Sequence, residues 1–214
     1  MSEIAAGSTR QTMPARRIVF YGDIITDCGQ RDDPDRLGAG YVRQLAEGPL
    51  AGHQVINAGI SGNRVVDLQQ RVADDVLAAQ PDLVSILIGI NDTWRRFDRA
   101  DPTTTETYAR GYRDILARIS DTGARLVMME PFLLPVTDEQ QSQWRADLDG
   151  KITAMRGLAD EFDATLVPTD VFLTETAAAD ESRGNQELAH DGVHPTPYGH
   201  SLIAELWERT VRVE

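Results

Sequence analysis

The sequence has one cysteine, Cys28, so no disulfide can form within the chain. That usage fits a reducing compartment. Positive charge is also scarce: 21 basic against 34 acidic side chains leave a formal net charge of -13. This balance argues against nucleic acid and anionic membranes as partners and favours a neutral ligand. No apolar run reaches the length of a transmembrane helix. Residues 1–15 are small and polar, without the apolar core of a secretory signal. The expectations are therefore a loose tail over residues 1–15, a single domain over residues 16–214 and a cytoplasmic location; self-association is left open. No Gly-Lys-Ser/Thr follows Gly38 and Gly40, so there is no phosphate loop. No His, Cys, Asp and Glu residues stand at metal-ligand spacing, so no metal and no other cofactor is expected.

What is present is an ordinary globular composition, 41% hydrophobic and 26% charged over 214 residues, enough for one sizeable core. Apolar runs at Arg17–Tyr21, Gln54–Asn57, Asp82–Ile88, Arg125–Met129 and Thr165–Val167 read as strands. The first and third are apolar almost throughout, as strands covered on both faces require. Between them, helical patterns are expected over Gly38–Ala46, Val65–Ala79, Thr103–Ser120 and Asp138–Phe162, the last broken near Gly150 or Gly157. Thr169–Ala178 reads as one or two helical turns, residues 180–192 as a polar loop and Thr196–Val211 as a closing helix. Strands alternating with helices predict an α/β fold with right-handed crossovers. The specific expectation is a flavodoxin-like three-layer α/β/α sandwich with a five-stranded parallel sheet in the order 2-1-3-4-5. Its site would lie at the carboxyl ends of strands 1 and 3.

Four stretches fall at those ends or on a late loop: Gly22-Asp23-Ile24, Asn57-Ala-Gly-Ile-Ser-Gly-Asn63, Gly89-Ile-Asn-Asp92 and Asp191-Gly-Val-His194. An Asp-x-x-His turn can supply a general base and the carboxylate that fixes its tautomer. Taken alone, it is equally a surface pair. Asn91 beyond a strand end can donate to an oxyanion, and equally can simply make a turn. Gly59 and Gly62 let the backbone approach a ligand, or merely form a loop. Trp94 has the face to stack on a sugar or to pack against neighbours. Arg95 and Arg96 are read as solvated charges. His190 and His200 are read as surface or capping residues. Cys28 lies about one helical turn beyond position 24, too far along to replace a nucleophile there.

Together the four blocks resemble the signature blocks of the SGNH (GDSL) hydrolase family. With Thr26-Asp27-Cys28-Gly29, Gly40-Tyr41-Val42, Pro131-Phe132 and Pro195, the chain resembles the family's bacterial acetylxylan esterases over residues 17 to 205. The resemblance implies a serine esterase that removes acetyl groups from xylan-derived oligosaccharides or similar short-acyl esters. It makes His194 the base and Asp191 its partner. It places Gly62, Asn91 and the backbone N–H of residue 24 in an oxyanion hole, and Asp23 and Trp94 at the substrate. One position departs from the pattern, for the family's serine nucleophile follows Gly-Asp and this chain has Ile24. Isoleucine has no group that attacks a carbonyl. Three accounts follow: an inactivated variant of an esterase, a natural pseudoenzyme that binds acetylated carbohydrate on the same fold, or water activated directly by His194.

Overall fold

A computed structural model describes residues 14–179 and 184–213. The expected N-terminal tail lies outside these residues as far as residue 13; Pro14 and Ala15 are exposed. The expected polar loop over residues 180–192 likewise falls outside them at residues 180–183. Five strands form the sheet: β1 (Arg17–Gly22), β2 (Gln54–Gly59), β3 (Leu83–Leu87), β4 (Arg125–Met129) and β5 (Thr165–Val167). All pair in parallel, in the order β2-β1-β3-β4-β5. This is the order that the alternation of patterns predicts.

Apolar runs become strands here because each one feeds two cores. Ile18, Phe20, Leu83, Leu87, Val127 and Met129 point to one face of the sheet. Val19, Tyr21, Val84, Ile86, Leu126 and Met128 point to the other. The period of two sends alternate residues to opposite layers. The first face is covered by α2 (Tyr41–Glu47), α7 (Thr169–Ala179) and α9 (Pro197–Thr210). The second is covered by α3 (Val65–Asp75) and α5 (Thr105–Ser120). The long α6 (Arg145–Glu161) serves both, through Leu148 and Ile152 on one side and Met155 and Leu158 on the other. Phe20 and Val84 are fully buried. Each such side chain contributes about 1.5–3 kcal/mol by leaving water.

Register fixes where the site falls. Gly22 of β1 pairs with Gly59 of β2 and Leu87 of β3, so the three strands end level. The chain leaves β1 toward β2 on one side and reaches β3 on the other. The crevice between them is the switch point of such a sheet.

Several boundaries differ from the pattern-based reading. Gly89 to Asp92 is not a simple turn: a helix, α4 (Ile90–Asp98), starts there and carries Trp94, which is therefore not on a loop. Its apolar residues Ile90, Trp94 and Phe97 fall at helical spacing, but the rest of its buried first turn is the polar Asn91, Asp92 and Thr93, which reads as a turn. Residues 138–162 form a single π-type turn at Gln140–Trp144 followed by an unbroken α6. Gly150 lies inside that helix because a Cβ there would stand 2.9 Å from Thr105 Oγ1. The α7 helix runs 11 residues, longer than expected, and a short α8 (Asn185–Leu188) occupies part of the expected loop. The Val65–Ala79 pattern divides into α3 and a 3₁₀ turn at Leu77–Ala79. Among the described residues, no helix is long and apolar enough to cross a membrane.

Candidate functional site

At the end of β1 only glycine fits. A Cβ on Gly22 would lie 2.4 Å from the Leu87 carbonyl and 2.6 Å from Thr26 Oγ1. Asp23 then caps the four-residue α1 (Ile24–Asp27), its Oδ1 accepting from the Ile25 N–H at 3.1 Å. Asp23 is 1% exposed, and its Oδ2 faces the Asn91 amide at 3.4 Å. Its two carboxylate oxygens thus serve a helix cap and a neighbouring side chain. Burial pushes its acid up to about 7; the Ile25 N–H opposes that rise, and the charge of Asp92 adds to it. Ile24 opens α1, half-buried against the first core.

The second wall is the loop after β2. Ile60 N–H donates to the Gly22 carbonyl at 3.0 Å, Ser61 N–H to Asp27 Oδ2 at 2.9 Å, and Asn63 N–H to the Ile60 carbonyl at 3.2 Å. Gly62, at φ +81°, is the exception. Among the described residues, neither its N–H nor that of Ile24 has a hydrogen-bond partner. The side of Gly62 that a Cβ would occupy is open, with Arg95 Nη2 the nearest group at 3.9 Å.

The first turn of α4 supplies Asn91 and Asp92. Asn91 is buried, and its Nδ2 donates to the Asn63 carbonyl at 3.0 Å. This ties α4 to the loop of Gly62. Asp92 is fully buried: its Oδ2 accepts from Val65 N–H at 3.1 Å, and its Oδ1 has no partner. Burial pushes this acid up to about 7 as well, against the pull of the Val65 N–H and the Lys151 ammonium. Further along, Asp147 on α6 accepts from Thr93 Oγ1, Arg96 and the buried Lys151, which fastens α4 to α6.

The late loop carries the imidazole. His194 Nδ1 lies 2.7 Å from Asp191 Oδ2, while Asp191 Oδ1 accepts from the N–H groups of Val193 at 3.0 Å and His194 at 2.8 Å. Partial burial would raise the Asp191 carboxyl, but the donors from His194 and Val193 outweigh it and hold the group below its usual range. A carboxylate on Nδ1–H leaves the Nε2 lone pair free to take a proton. Trp94 meets the His194 ring edge to face at 5.6 Å, which brings α4 and this loop into contact. Trp94 also contacts Trp144, and Phe97 stacks on Trp144.

Other residues stand apart. His200 is 5% exposed, so of its two expected roles the structure favours capping, with Nδ1 on the first N–H of α2; burial pushes its imidazole down to about 4. Its Nδ1 accepts from Tyr41 N–H, so Nε2 carries the proton and faces Cys28 Sγ at 3.5 Å. A donor facing the sulfur cannot act as its base, and burial raises the thiol pKa. Arg95 is less solvated than expected; its side chain is 18% exposed, paired with Asp98 and laid over Trp94 at 5.7 Å. Arg96 is half-exposed and paired with Asp147. His190 is exposed. Among the described residues, no group of three or more His, Cys, Asp or Glu is placed to hold a metal ion. One residue the sequence did not single out is Arg71 of α3. It reaches Asn63 Oδ1 and the carbonyls of Gly22 and Ala58. A lone arginine on a polar helix face carries no signal of such reach.

Fold and site blocks together define a GDSL-type ester hydrolase. The family described as GDSL-like lipase/acylhydrolase matches residues 20–202, and the chain belongs to it. It is 32% identical over 213 residues to an acetylxylan esterase of Geobacillus stearothermophilus, covering 92% of this chain and 94% of that one. The solved structure of an acetylxylan esterase from that organism superposes with a TM-score of 0.83 at 31% identity, over 93% of this chain and 95% of the other. A putative GDSL-like lipase from Parabacteroides merdae superposes at 0.82 with 35% identity, over 91% and 94%. Variants of the Geobacillus enzyme described as catalytic mutants replace a serine, an aspartate and a histidine with alanine.

Proposed function

We propose that this chain carries the machinery of an acetyl esterase for xylan-derived oligosaccharides or similar short-acyl esters, with Ile24 in place of the nucleophile. The observation that supports the reading is the His194–Asp191 pair at 2.7 Å, together with two backbone N–H groups, of Ile24 and Gly62, that have no hydrogen-bond partner among the described residues. The family match over residues 20–202 supports reading residues 16–214 as one hydrolase domain. The acetyl and xylan specificity rests on the Geobacillus relative.

In the Ile24→Ser chain the mechanism is acyl transfer. The new hydroxyl attacks the ester carbonyl while His194 Nε2 takes its proton, and Asp191 steadies the imidazolium. Charge then develops on the carbonyl oxygen, which accepts from the N–H groups of residues 24 and 62 and from Asn91. The long 3.4 Å contact between Asn91 and Asp23 is the one an oxyanion would replace. His194 returns the proton to the departing sugar oxygen, and water releases acetate by the same route in reverse. With Ile24 there is no attacking atom, and the branched side chain fills part of the approach.

Acetate release from an acetylated xylo-oligosaccharide by the chain, Ile24→Ser and Ile24→Ala tests this. Ile24→Ser is expected to exceed the other two by about 10³-fold or more. An alanine form equal to the serine form would favour water activated by His194. A folded serine form inert on every acetyl ester would favour the binding-module reading.

A further inference from the structure

We propose that Arg71 is a positioning residue for the oxyanion hole, aiming the Gly62 N–H by clamping its loop to the ends of β1 and β2; the catalytic part of this inference rests on the hydrolase reading above. A guanidinium offers five N–H donors in a rigid fork. Arg71 commits Nε to Asn63 Oδ1 at 2.7 Å, Nη1 to the Ala58 carbonyl at 2.8 Å and to Asp75 Oδ2 at 2.5 Å, and Nη2 to the Gly22 carbonyl at 3.0 Å. One side chain thus joins the last turn of β1, the last turn of β2 and the loop between β2 and α3. The fork lies over the Tyr21 ring at 4.4 Å, and the Tyr21 hydroxyl is itself bonded to the Leu68 carbonyl. The arginine is therefore held in plane as well as in reach, with 15% of its side chain exposed.

The loop has few other restraints on its far half. Ile60 and Ser61 are held by their own N–H groups. Beyond Gly62, Asn63 is held by Arg71 through its side chain, by Asn91 through its carbonyl and by its own N–H, which donates to the Ile60 carbonyl at 3.2 Å. Gly62 sits between these anchors at φ +81°, a region where glycine meets no steric wall and so depends on its neighbours for direction. The Gly62 N–H lies in the Ser61–Gly62 peptide plane, held at one end by Ser61 and reached from the other through the Gly62 backbone dihedrals, so loosening Asn63 relaxes its aim. The Gly22 carbonyl that Arg71 grips immediately precedes Asp23 and the second free N–H, that of Ile24. One side chain, through two contacts, thereby restrains the segments that carry both backbone donors.

The competing role is a helix-surface ion pair with Asp75, four residues on. Asp75→Ala removes that pair and spares the other contacts. Arg71→Lys keeps the charge and the stem but cannot reach three acceptors at once. Asn63→Ala cuts the shortest link to the loop. In the Ile24→Ser background, Arg71→Lys and Asn63→Ala are expected to lower kcat on an acetylated xylo-oligosaccharide by about 10–100-fold with KM within about two-fold, since an oxyanion donor acts in the transition state. Asp75→Ala is expected to stay within about two-fold in both. In the chain with Ile24 retained, Arg71→Lys is expected to move the amide resonances of Gly62 and Asn63 and to leave those of Val193 and His194 in place. An unmoved Gly62 amide, or parallel loss of kcat and KM with Asp75→Ala behaving like Arg71→Lys, overturns the proposal. If Arg71→Lys does not fold, Asn63→Ala decides by the same two readouts. If Ile24→Ser is itself inert, the hydrolase reading fails, and the amide measurement alone decides whether Arg71 aims Gly62.

Discussion

Asn91 and His194 stand on elements that meet through Trp94 but are held in opposite ways. Asn91 is buried at the start of a helix, bonded to the loop of Gly62, beside two buried acids and a helix pinned by Asp147. His194 sits on a surface turn with 40% of its side chain exposed, and its partner Asp191 is 47% exposed. The first arrangement is long-range: β1, the loop after β2, α3 and α4 must all fold before it exists. The second is local, since Asp191 satisfies itself from residues two and three positions on. Oxyanion donors must be fixed before charge appears, because they stabilise the transition state by not having to reorganise. A base must instead exchange protons with substrate and water, which favours an accessible ring.

That contrast predicts different costs on the two sides, all read in the Ile24→Ser background. His194→Ala should cause the largest loss, up to about 10⁶-fold in kcat, with the melting temperature unchanged because little is buried there. Asp191→Asn should follow at about 10⁴-fold through loss of the required tautomer, with only a small loss of stability. Asn91→Ala should cost about 10²–10³-fold in kcat and should also lower the melting temperature, as it leaves buried acceptors without a donor. Steady-state kinetics and thermal melts on the three variants check this. A His194→Ala chain that melts earlier than Asn91→Ala would break the comparison. Smaller still, Trp94→Ala should raise KM for an oligosaccharide more than for a small aryl acetate if the ring stacks on sugar. Equal changes on both esters, with lost stability, would assign Trp94 to packing against His194 and Trp144.

The buried side should also show in the pH dependence of stability. Asp23 and Asp92 are raised to about 7 when folded, against an ordinary value near 4. Between those values the folded chain holds protons that the unfolded chain has given up. Stability therefore falls as pH rises from about 4 to about 7, and these two groups add no further change above that. Asp191 has the opposite sign: its contribution is present above the ordinary carboxyl value and is lost as pH falls through its depressed one. Asp92→Asn should flatten the slope of melting temperature between pH 5 and 8. An unchanged slope would show that Asp92 is ionised throughout.

The same division explains what the sequence discloses. β4 and β5 fall where their apolar runs predict, and strand order follows from alternation with helices. The Asp191–His194 contact was legible because three residues span it. The burial of Asp23 is not legible in sequence because it depends on Asn91, 68 residues away. Nor is that of His200, whose capped N–H on Tyr41 lies 159 residues away. Arg71 was invisible for the same reason, as its partners lie on other strands. α4 reads as a turn because Asn91, Asp92 and Thr93 of its buried first turn are polar; its short stripe of Ile90, Trp94 and Phe97 rests on the first core, and Asp147 holds Thr93.

The account turns on position 24 being the one missing part, and covalent labelling reads that position directly. The chain, Ile24→Ser, Ile24→Ala and Ile24→Ser with His194→Ala are each treated with a fluorophosphonate that phosphonylates activated serines, and the modified peptide is identified by mass. The account predicts one adduct, on the serine introduced by Ile24→Ser, and its loss when His194 is removed. Absence of that adduct in folded Ile24→Ser, or its persistence without His194, would contradict it.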